Sequence, residues 1–290
     1  MTTADDLEVV TIVRGRAAHL RNLVLGLEHG HVRPAALHVV VMGGPDPVAD
    51  LPTGAVRIVR HEVSPGHGAL PLAHARNLGV AATEAPLVVL LDVDCIPAAG
   101  LVDAYARRLR RDDVVAMGQV RYLGPGAADG AWEEASLHAA SVPHPGRPVP
   151  ATAGPTDDHA RFWSLSFGVR LATYDRLGGF DEGYVGYGAE DTDLAFTIRG
   201  RDVPLWWEPA AVAYHQHHAT YDPPLQHLDD IVANARRFRA KWGTWPMEGW
   251  LRAFAERGLV TWDPDGDLLE RRRAPTGDEL TAARRTSAIA

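Results

Sequence analysis

The sequence predicts an α/β fold with a mainly parallel central sheet flanked by helices and a helical extension at its C-terminal end. Over roughly the first ninety residues, apolar β-branched runs alternate with stretches in which apolar residues recur at helical spacing. Runs that are apolar throughout are typical of strands buried on both faces, as in parallel sheets. The alternation of strands and helices therefore predicts a sheet with helices packed against it.

The first half of the chain supplies most of the predicted sheet. We expect strands at 9–13 (VVTIV), 37–42 (LHVVVM), 55–63 (AVRIVRHEV) and 87–91 (LVVLL), with a helix at 72–82. In sheets of this kind, ligands bind at the carboxyl ends of the strands. Residues that directly follow these strands are therefore the first candidates for a functional site.

The second half of the chain has longer stretches without periodicity. Residues 124–160 include a Gly-, Pro- and Ala-rich loop, which we expect to be mobile and to close over bound substrates. Strands are expected at 162–169 and 210–214, and an apolar stripe predicts a helix over 225–242. The polar residues 263–290 are expected to form a loosely ordered tail.

Composition and charge exclude several classes of protein. With 46% hydrophobic and 23% charged residues, the chain resembles neither a disordered nor a membrane protein. A formal net charge of −8 argues against a nucleic-acid-binding protein, since phosphate binding requires a basic face. No apolar run could span a bilayer, the N-terminus lacks the pattern of a signal peptide, and Cys95 alone cannot form an intramolecular disulfide. We expect a cytoplasmic protein, or one peripheral to the inner face of the membrane.

Two aspartates, Asp92 and Asp94, directly follow the strand expected at 87–91. Side chains two residues apart in an extended chain point the same way, so the two carboxylates are expected to share a face. Two anions at the end of a buried strand are unfavourable unless a cation joins them. A hard divalent cation with oxygen ligands meets this requirement and commonly binds substrate phosphates too. An acidic turn without a ligand is the alternative interpretation.

A second acidic segment, 190–193 (EDTD), follows three glycines and precedes apolar residues at helical spacing. Acidic residues in the first turn of a helix are stabilised by its dipole, and this explanation accounts for Asp193. It does not account for the glycines, which let the backbone come close to a ligand and present a carboxylate into a cleft. A carboxylate in that position is a candidate general base.

Three histidines close the strand expected at 210–214, in the segment AYHQHH. If the strand alternation continues, His215 and His217 share a face and His218 points away. Since imidazole binds several divalent metals, one of the first pair is a candidate to complete a metal site with Asp94. A structural histidine is the alternative interpretation, because the chain contains 14 histidines.

Basic and amide side chains near these acids are candidate anion contacts. Arg76 and Asn77 lie on the helix expected before the aspartate pair, and Arg14 and Arg16 follow the first strand. For Arg14 and Arg16, a solvated loop is an equally good interpretation.

The order of five segments resembles a known family. VVTIVRGR, LAHARNLGVAA, VVLLDVDCIP, LGGFDEGYVGYGAEDTDLAFTIRG and AYHQHH follow one another as in the GT-A glycosyltransferases. More narrowly, the chain resembles family-2 inverting enzymes and the galactosyltransferase C-terminal-type segment of chondroitin polymerases and polypeptide N-acetylgalactosaminyltransferases. The resemblance covers about residues 8 to 245 and implies a GT-A (Rossmann-like) fold.

The resemblance implies a metal-dependent hexosyltransferase that takes a sugar from a nucleotide-diphospho-sugar, with UDP as the expected nucleotide. In the family, the last acid of the Asp-x-Asp motif and a downstream histidine hold Mn²⁺ or Mg²⁺. Here these are Asp94 and His215, with His217 as a further candidate ligand. An acid after the second strand often contacts the nucleoside, but this chain has VVVMGGPDP there.

The resemblance also implies roles for the remaining candidates. Asp191 corresponds to the general base of inverting members, and Glu190 to a residue that contacts the acceptor or the donor sugar. The donor and its nucleotide are expected to contact Thr11, Arg14, Arg76, Asn77, Asp92 and Asp94. The acceptor is an unidentified hydroxyl on a glycan, a small molecule or a lipid-linked molecule.

The same comparison divides the chain into expected units. A catalytic domain at 1–218 contains a nucleotide-sugar half at 1–97 and an acceptor half at 98–218, followed by a helical extension at 219–262 and the tail at 263–290. Two other functions remain open at this point. One is a metal-dependent sugar nucleotidyltransferase or phosphohydrolase, and the other is a non-catalytic module that binds a nucleotide-sugar.

Overall fold

The computed structural model describes residues 2–51, 53–64 and 69–286 and shows a mixed α/β fold around one large sheet. The strands are β1 (Thr2–Val13), β2 (Val32–Val41), β3 (Ile58–Glu62), β4 (Leu87–Leu91), β5 (Cys95–Pro97), β6 (Val115–Leu123), β7 (Ser141–Pro143), β8 (Gly154–Pro155), β9 (Ser166–Arg170), β10 (Leu205–His215), β11 (Thr220–Tyr221), β12 (Val260–Trp262), β13 (Leu269–Arg271) and β14 (Arg284–Arg285). The helices are α1 (Ala17–Glu28), α2 (Leu72–Ala81), α3 (Leu101–Arg111), α4 (Glu134–Ala140), α5 (Leu171–Leu177), α6 (Glu190–Gly200), α7 (Leu228–Trp242), α8 (Glu248–Glu256) and α9 (Gly277–Ala283).

The large sheet has the strand order β3-β2-β1-β4-β9-β6-β10-β5, with β7 beside β6 and β8 beside β10. Strands β3, β2, β1, β4, β6 and β10 run in one direction, and β9 and β5 run in the other. The expected α/β fold with a mostly parallel sheet flanked by helices is confirmed. Because β1, β4 and β10 run in the same direction, their carboxyl ends meet at one edge of the sheet.

Apolar layers cover both faces of the sheet. Along β1, Val9 and Val13 belong to the layer that includes α1 and α3, whereas Val10 packs on the opposite face. Helix α2 lies close against β1 at Gly79, where a Cβ atom would lie 2.4 Å from Cγ1 of Val10. Each fully buried valine or leucine stabilises the fold by about 1.5–3 kcal/mol, so these layers fix the sheet and its edge firmly.

The bounds of the strands follow their burial. Strand β4 has the predicted bounds 87–91, because all five of its residues are apolar and buried. Strand β1 begins seven residues earlier than expected, at Thr2, where it pairs with β2 through the register Thr2↔Val32. Backbone pairing extends β1 into a polar stretch. Because this pairing does not require apolar side chains, no apolar pattern in the sequence indicates it.

The segment 124–160 contains regular structure that the sequence does not indicate. Helix α4 lies within it, β7 pairs with β6 and β8 pairs with β10. Arg147 is buried there and donates hydrogen bonds to the carbonyls of Arg161 and Gly118 at 3.0 and 3.1 Å. The expectation of a segment without regular structure is therefore wrong, because backbone pairing and one buried arginine fix it. Closure over substrates stays a prediction.

The C-terminal residues also differ from expectation. Helices α7 and α8 share an apolar cluster with residues of the expected loose tail, including Leu269 and Ala283. Helix α9 begins with a capping box in which Thr276 and Glu279 each accept a hydrogen bond from the other's backbone N–H. Strand β14 pairs with β11, so the tail is ordered as far as Thr286, and 287–290 lie outside the described residues. The predicted domain boundaries stay a prediction.

Within the described ranges, none of the helices is both long and apolar enough to cross a membrane.

Candidate active site

The candidate site lies at the sheet edge where β1, β4 and β10 end. After β4, the segment Asp92–Asp94 turns, and the N–H of Cys95 donates to the carbonyl of Asp92 at 2.9 Å. The N–H of Gln216, directly after β10, donates to the carbonyl of Asp94 at 2.6 Å. This bond holds the two segments side by side, and Asp94 therefore meets the histidines that follow β10.

Asp94 is surrounded by cationic and imidazole groups. Its Oδ2 atom lies 3.2 Å from Nε2 of His218 and accepts a hydrogen bond from the guanidinium of Arg16. Its Oδ1 atom lies 3.5 Å from Nε2 of His215 and is buried without a hydrogen-bond partner among the described residues. Burial opposes ionisation, but His215, His218 and Arg16 together hold the pKa of Asp94 well below its usual range. An unpartnered carboxylate oxygen beside two imidazoles fits a divalent cation.

The second histidine beside Asp94, after His215, is His218 and not the expected His217. Strand β10 ends at His215, so the alternation stops there, and the ring centroids of His215 and His218 lie 5.3 Å apart. The expectation that His218 points away is wrong for this reason. His217 lies outside the group, and its Nε2 atom is buried without a partner. The turn after β10 contains neither Gly nor Pro, so the sequence carries no signal for it.

A buried polar network fixes the direction of the histidine segment. The buried Gln216 side chain donates from Nε2 to the carbonyl of His19 at 3.1 Å. Its Oε1 atom accepts a hydrogen bond from Nδ2 of Asn22 at 2.8 Å. Sequence reasoning missed both amides, since a single glutamine and a distant asparagine form no pattern. Buried amides that are fully paired hold a segment rigidly.

Arg76 joins the two acidic segments of the site. Its guanidinium donates to Oδ1 of Asp92 at 3.2 Å and to Oε1 of Glu190 at 3.1 Å. Burial acts to lower the pKa of Arg76, but the charges of the two carboxylates outweigh burial and raise it. Burial raises the pKa of Asp92 to about 6, with Arg76 opposing and Asp94 adding to the increase. The chain turns after Asp92, so the extended backbone behind the expectation of a shared face is absent, and Asp92 and Asp94 have different partners.

Asp191 lies in the first turn of α6 in an acidic environment. Its Oδ1 atom accepts a hydrogen bond from the backbone N–H of Thr192 at 2.7 Å. Burial raises the pKa of Asp191 to about 7, the charge of Glu190 adds to the increase, and Arg76 opposes it. A carboxylate with a pKa near 7 exchanges its proton readily at neutral pH, as general-base catalysis requires.

The glycine-rich loop before α6 has a left-handed backbone. The φ angles of Gly186, Gly188 and Ala189 are 77°, 96° and 75°. A Cβ atom at Gly186 would lie 2.2 Å from Cγ of Asp230, so only glycine fits at that position. Ala189 holds a conformation that costs a non-glycine residue about 1–3 kcal/mol, and strain of this kind is common at functional sites.

Helix α7 holds this loop in place. The Nδ2 atom of the buried Asn234 lies within hydrogen-bond distance of the carbonyls of Val185, Tyr187 and Gly188, at 3.1, 3.3 and 2.9 Å. The loop leads directly into α6, so the C-terminal helices contribute to the position of Asp191.

The remaining predicted donor contacts lie in different surroundings. The Oγ1 atom of Thr11, in β1, is buried without a partner, and Arg14 is exposed directly after the strand. Asn77 donates to the carboxylate of Glu182 at 2.9 Å and accepts from the hydroxyl of Tyr174 at 2.7 Å. Its amide is therefore engaged within the protein. The assignment of these three residues to the donor stays a prediction.

Comparison with known proteins gives both sequence relatives and structural neighbours. No protein-family model matches the chain. The chain is 30% identical over 220 residues to the pre-mycofactocin glycosyltransferase of Mycobacterium tuberculosis, which is 73% of this chain and 43% of the relative. It is 36% identical over 44 residues to the validoxylamine A glucosyltransferase of Streptomyces hygroscopicus, which is 15% of this chain and 10% of the relative. The chain spans less than half the length of these curated relatives.

Two solved structures have a similar fold. A structure of GalNAc-T7 with UDP, GalNAc and Mn²⁺ aligns with a TM-score of 0.56 and 16% identity, covering 87% of this chain and 50% of that one. TarS of S. aureus, residues 1–349, aligns with a TM-score of 0.53 and 13% identity, covering 81% and 65%. The chain therefore has a GT-A-like fold and is similar in sequence to glycosyltransferases, which confirms the resemblance that its motifs indicate.

Proposed function

We propose that this chain is a glycosyltransferase that moves a sugar from a nucleotide-diphospho-sugar, with UDP as the nucleotide, to an acceptor hydroxyl with inversion. The observation that carries the proposal is the cluster of Asp94, His215 and His218 where β4 and β10 end, and the surroundings of Asp191 support it. Asp94 stays ionised among His215, His218 and Arg16, and Asp191 has a pKa of about 7. Two acids whose surroundings shift their pKa in opposite directions are suited to different steps of one reaction.

The residues around Asp94 would hold the cation that the proposed function requires. The donor set is one carboxylate and two imidazoles, Asp94, His215 and His218. Mg²⁺ prefers oxygen ligands, so this set favours Mn²⁺. The predicted ligand His217 lies outside the set. When bound, the cation neutralises charge on the diphosphate leaving group.

The other residues act on the donor and the acceptor. Arg76 donates to the carboxylates of Asp92 and Glu190, compensates their charges and orients both toward the donor. Asp191 accepts the proton of the acceptor hydroxyl while the oxygen of that hydroxyl bonds to the anomeric carbon. The bond from that carbon to the diphosphate oxygen breaks in the same step, and the nucleoside diphosphate leaves. Attack opposite to the leaving group inverts the anomeric centre.

The first experiment is calorimetric binding of UDP, GDP, CDP and dTDP with Mn²⁺ and with EDTA. We expect UDP to bind only with Mn²⁺, and Asp94→Ala to lose UDP binding even when Mn²⁺ is present. Asp103→Ala, which removes a carboxylate on α3, is the matched control and should bind as the wild type does. Binding that is indifferent to the cation would contradict the proposed cation site.

Transfer is then assayed with UDP-sugars and acceptors from the three predicted classes. Formation of a glycoside, with anomeric configuration read by NMR, supports a transferase. Release of sugar phosphate with nucleoside monophosphate would instead indicate a phosphohydrolase, and release of sugar phosphate with nucleoside triphosphate upon addition of pyrophosphate would indicate a nucleotidyltransferase. Cation-dependent binding without turnover over the whole acceptor panel would indicate a binding module.

A further inference from the structure

Arg16 lies in the turn between β1 and α1, and its guanidinium reaches the candidate cation site. The residue has a left-handed backbone, with φ 52° after Gly15 at φ 61°. Its side chain is 38% exposed, and its terminal nitrogen contacts Oδ2 of Asp94. Among the residues that the structure describes, Asp94 is the one carboxylate with which Arg16 forms an ion pair.

This ion pair and a bound cation compete for the same carboxylate. His215 and His218 also face Asp94, so a divalent ion held by these three residues lies within a few ångströms of the guanidinium. Two cations so close together repel strongly, even with the screening that partial exposure provides. A bound ion therefore weakens the ion pair and favours movement of Arg16 away from Asp94.

The side chain of Arg16 is free to make this movement. It is partly exposed, and within the part of the chain that the structure describes its one hydrogen bond is the one to Asp94. Under the proposed function, a diphosphate approaches the ion at the same place. A guanidinium binds phosphate oxygens in a bidentate fashion, so the donor offers Arg16 a new anionic partner.

We propose that Arg16 compensates the charge of Asp94 in the cation-free protein and transfers to the donor's diphosphate when the cation binds. This inference rests on the proposed function and concerns the order of binding. The ion pair keeps Asp94 ionised and in position before the cation arrives. It also weakens cation binding until a donor is present to accept the displaced guanidinium.

The test measures Mn²⁺ binding to the nucleotide-free protein by calorimetry and by the EPR signal of free Mn²⁺. Arg16→Gln removes the charge and should bind Mn²⁺ about tenfold more tightly than the wild type. Arg16→Lys keeps the charge and should bind Mn²⁺ as the wild type does. Arg176→Gln removes an equal charge from an exposed ion pair with Asp113 and is the control.

The same variants are then titrated with UDP at saturating Mn²⁺. Arg16→Gln should bind UDP about tenfold more weakly, because the diphosphate loses its guanidinium partner. Tighter Mn²⁺ and weaker UDP binding in the same variant support the exchange. Unchanged or weaker Mn²⁺ binding, or unchanged UDP binding, would overturn it. Absence of Mn²⁺ binding to every variant would overturn the proposed cation site as well.

Discussion

Asp94 and Asp191 occupy one candidate site, but their neighbours carry opposite charge. Asp94 faces two imidazoles and a guanidinium, which hold its pKa well below the usual range. Asp191 faces Glu190, and this charge together with burial raises its pKa to about 7. The residues are of the same type, so the difference arises from their surroundings: distant segments meet Asp94, whereas burial and the adjacent Glu190 act on Asp191.

This difference indicates which acid is suited to which role. A carboxylate that stays ionised at every physiological pH can hold a cation but cannot exchange a proton there. A carboxylate with a pKa near 7 can accept a proton and release it again. Substitutions at the two positions should therefore affect different measurements.

The largest effect is expected for Asp191→Asn. Because the amide cannot accept a proton from the acceptor, kcat for transfer should fall about 10²- to 10⁴-fold. Mn²⁺ affinity should stay that of the wild type, since the residue lies outside the cluster around Asp94. Steady-state transfer assays and EPR titration measure the two quantities.

Asp94→Asn is the complementary variant. Its Mn²⁺ affinity should fall by about 100-fold or more. Loss of a residue that only orients a metal ligand lowers affinity by about 10- to 100-fold, and loss of the ligand itself should cost more. If the two variants lost rate and cation affinity to the same extent, the division of roles between Asp94 and Asp191 would be wrong.

The pH dependence of the rate tests the same contrast. Asp191 must be deprotonated to act as a base, so its raised pKa predicts that kcat falls as pH decreases through about 7. Below that pH, kcat should decrease about tenfold per pH unit. A rate that stays constant from about pH 8 to about pH 5 would exclude Asp191, with its raised pKa, as the base.

Asn234→Ala tests whether α7 holds the base in position. The substitution removes the donor that three carbonyls of the glycine-rich loop share, which should lower the free energy of unfolding by about 0.5–1.5 kcal/mol. We also expect kcat to decrease more than Mn²⁺ affinity, since the loop leads to Asp191 and not to Asp94. Asp229→Asn, on the same helix, removes only an exposed ion pair with Arg271 and serves as the control.

The smallest effect concerns a titrating cluster elsewhere in the sheet. His38 lies between Glu8 and His61, with Nε2 3.2 Å from the Glu8 carboxylate and Nδ1 3.0 Å from the His61 ring, and Arg57 also faces Glu8. Burial lowers the pKa of both histidines, so the unfolded chain binds protons more readily than the folded one. The free energy of unfolding should therefore be highest above the ordinary histidine pKa of about 6.5 and should decrease as pH falls below it.

Thermal unfolding from about pH 7.5 to about pH 5.5 measures this decrease. His61→Gln should reduce it, and His31→Gln, at an exposed position, should not. An equal pH dependence in all three proteins would show that the cluster does not contribute. The experiment also separates loss of fold at low pH from the loss of rate expected for Asp191.

Particular residues show how far the sequence predicts this site. The bounds of β4 and the positions of Asp92 and Asp94 after it follow from a buried apolar run, which leaves an unmistakable pattern. The partners of these acids do not follow from any local pattern. Arg76 reaches Asp92 across 16 residues of chain and Glu190 across 114, and Gln216 reaches Asn22 across 194.

The choice between His217 and His218 shows the same limit. Strand alternation favours His217, and the alternation holds only while the chain stays extended. Because β10 ends at His215, His218 and not His217 lies beside Asp94. This end of the strand depends on contacts of Gln216 with Asp94 and Asn22, which are distant in sequence. Likewise, the regular structure of segment 124–160 depends on backbone pairing. Any sequence can supply the backbone groups for it, so the amino-acid sequence does not indicate where it occurs.

The sequence by itself determined the α/β class, the sheet edge that carries the acids and the residue types available there. These depend on hydrophobic burial and local spacing, which act over a few neighbouring residues. The tertiary structure alone decided which histidine faces Asp94, which acid has a raised pKa and which arginine contacts Asp94. These depend on electrostatic fields and hydrogen bonds between segments that meet only when the sheet is complete.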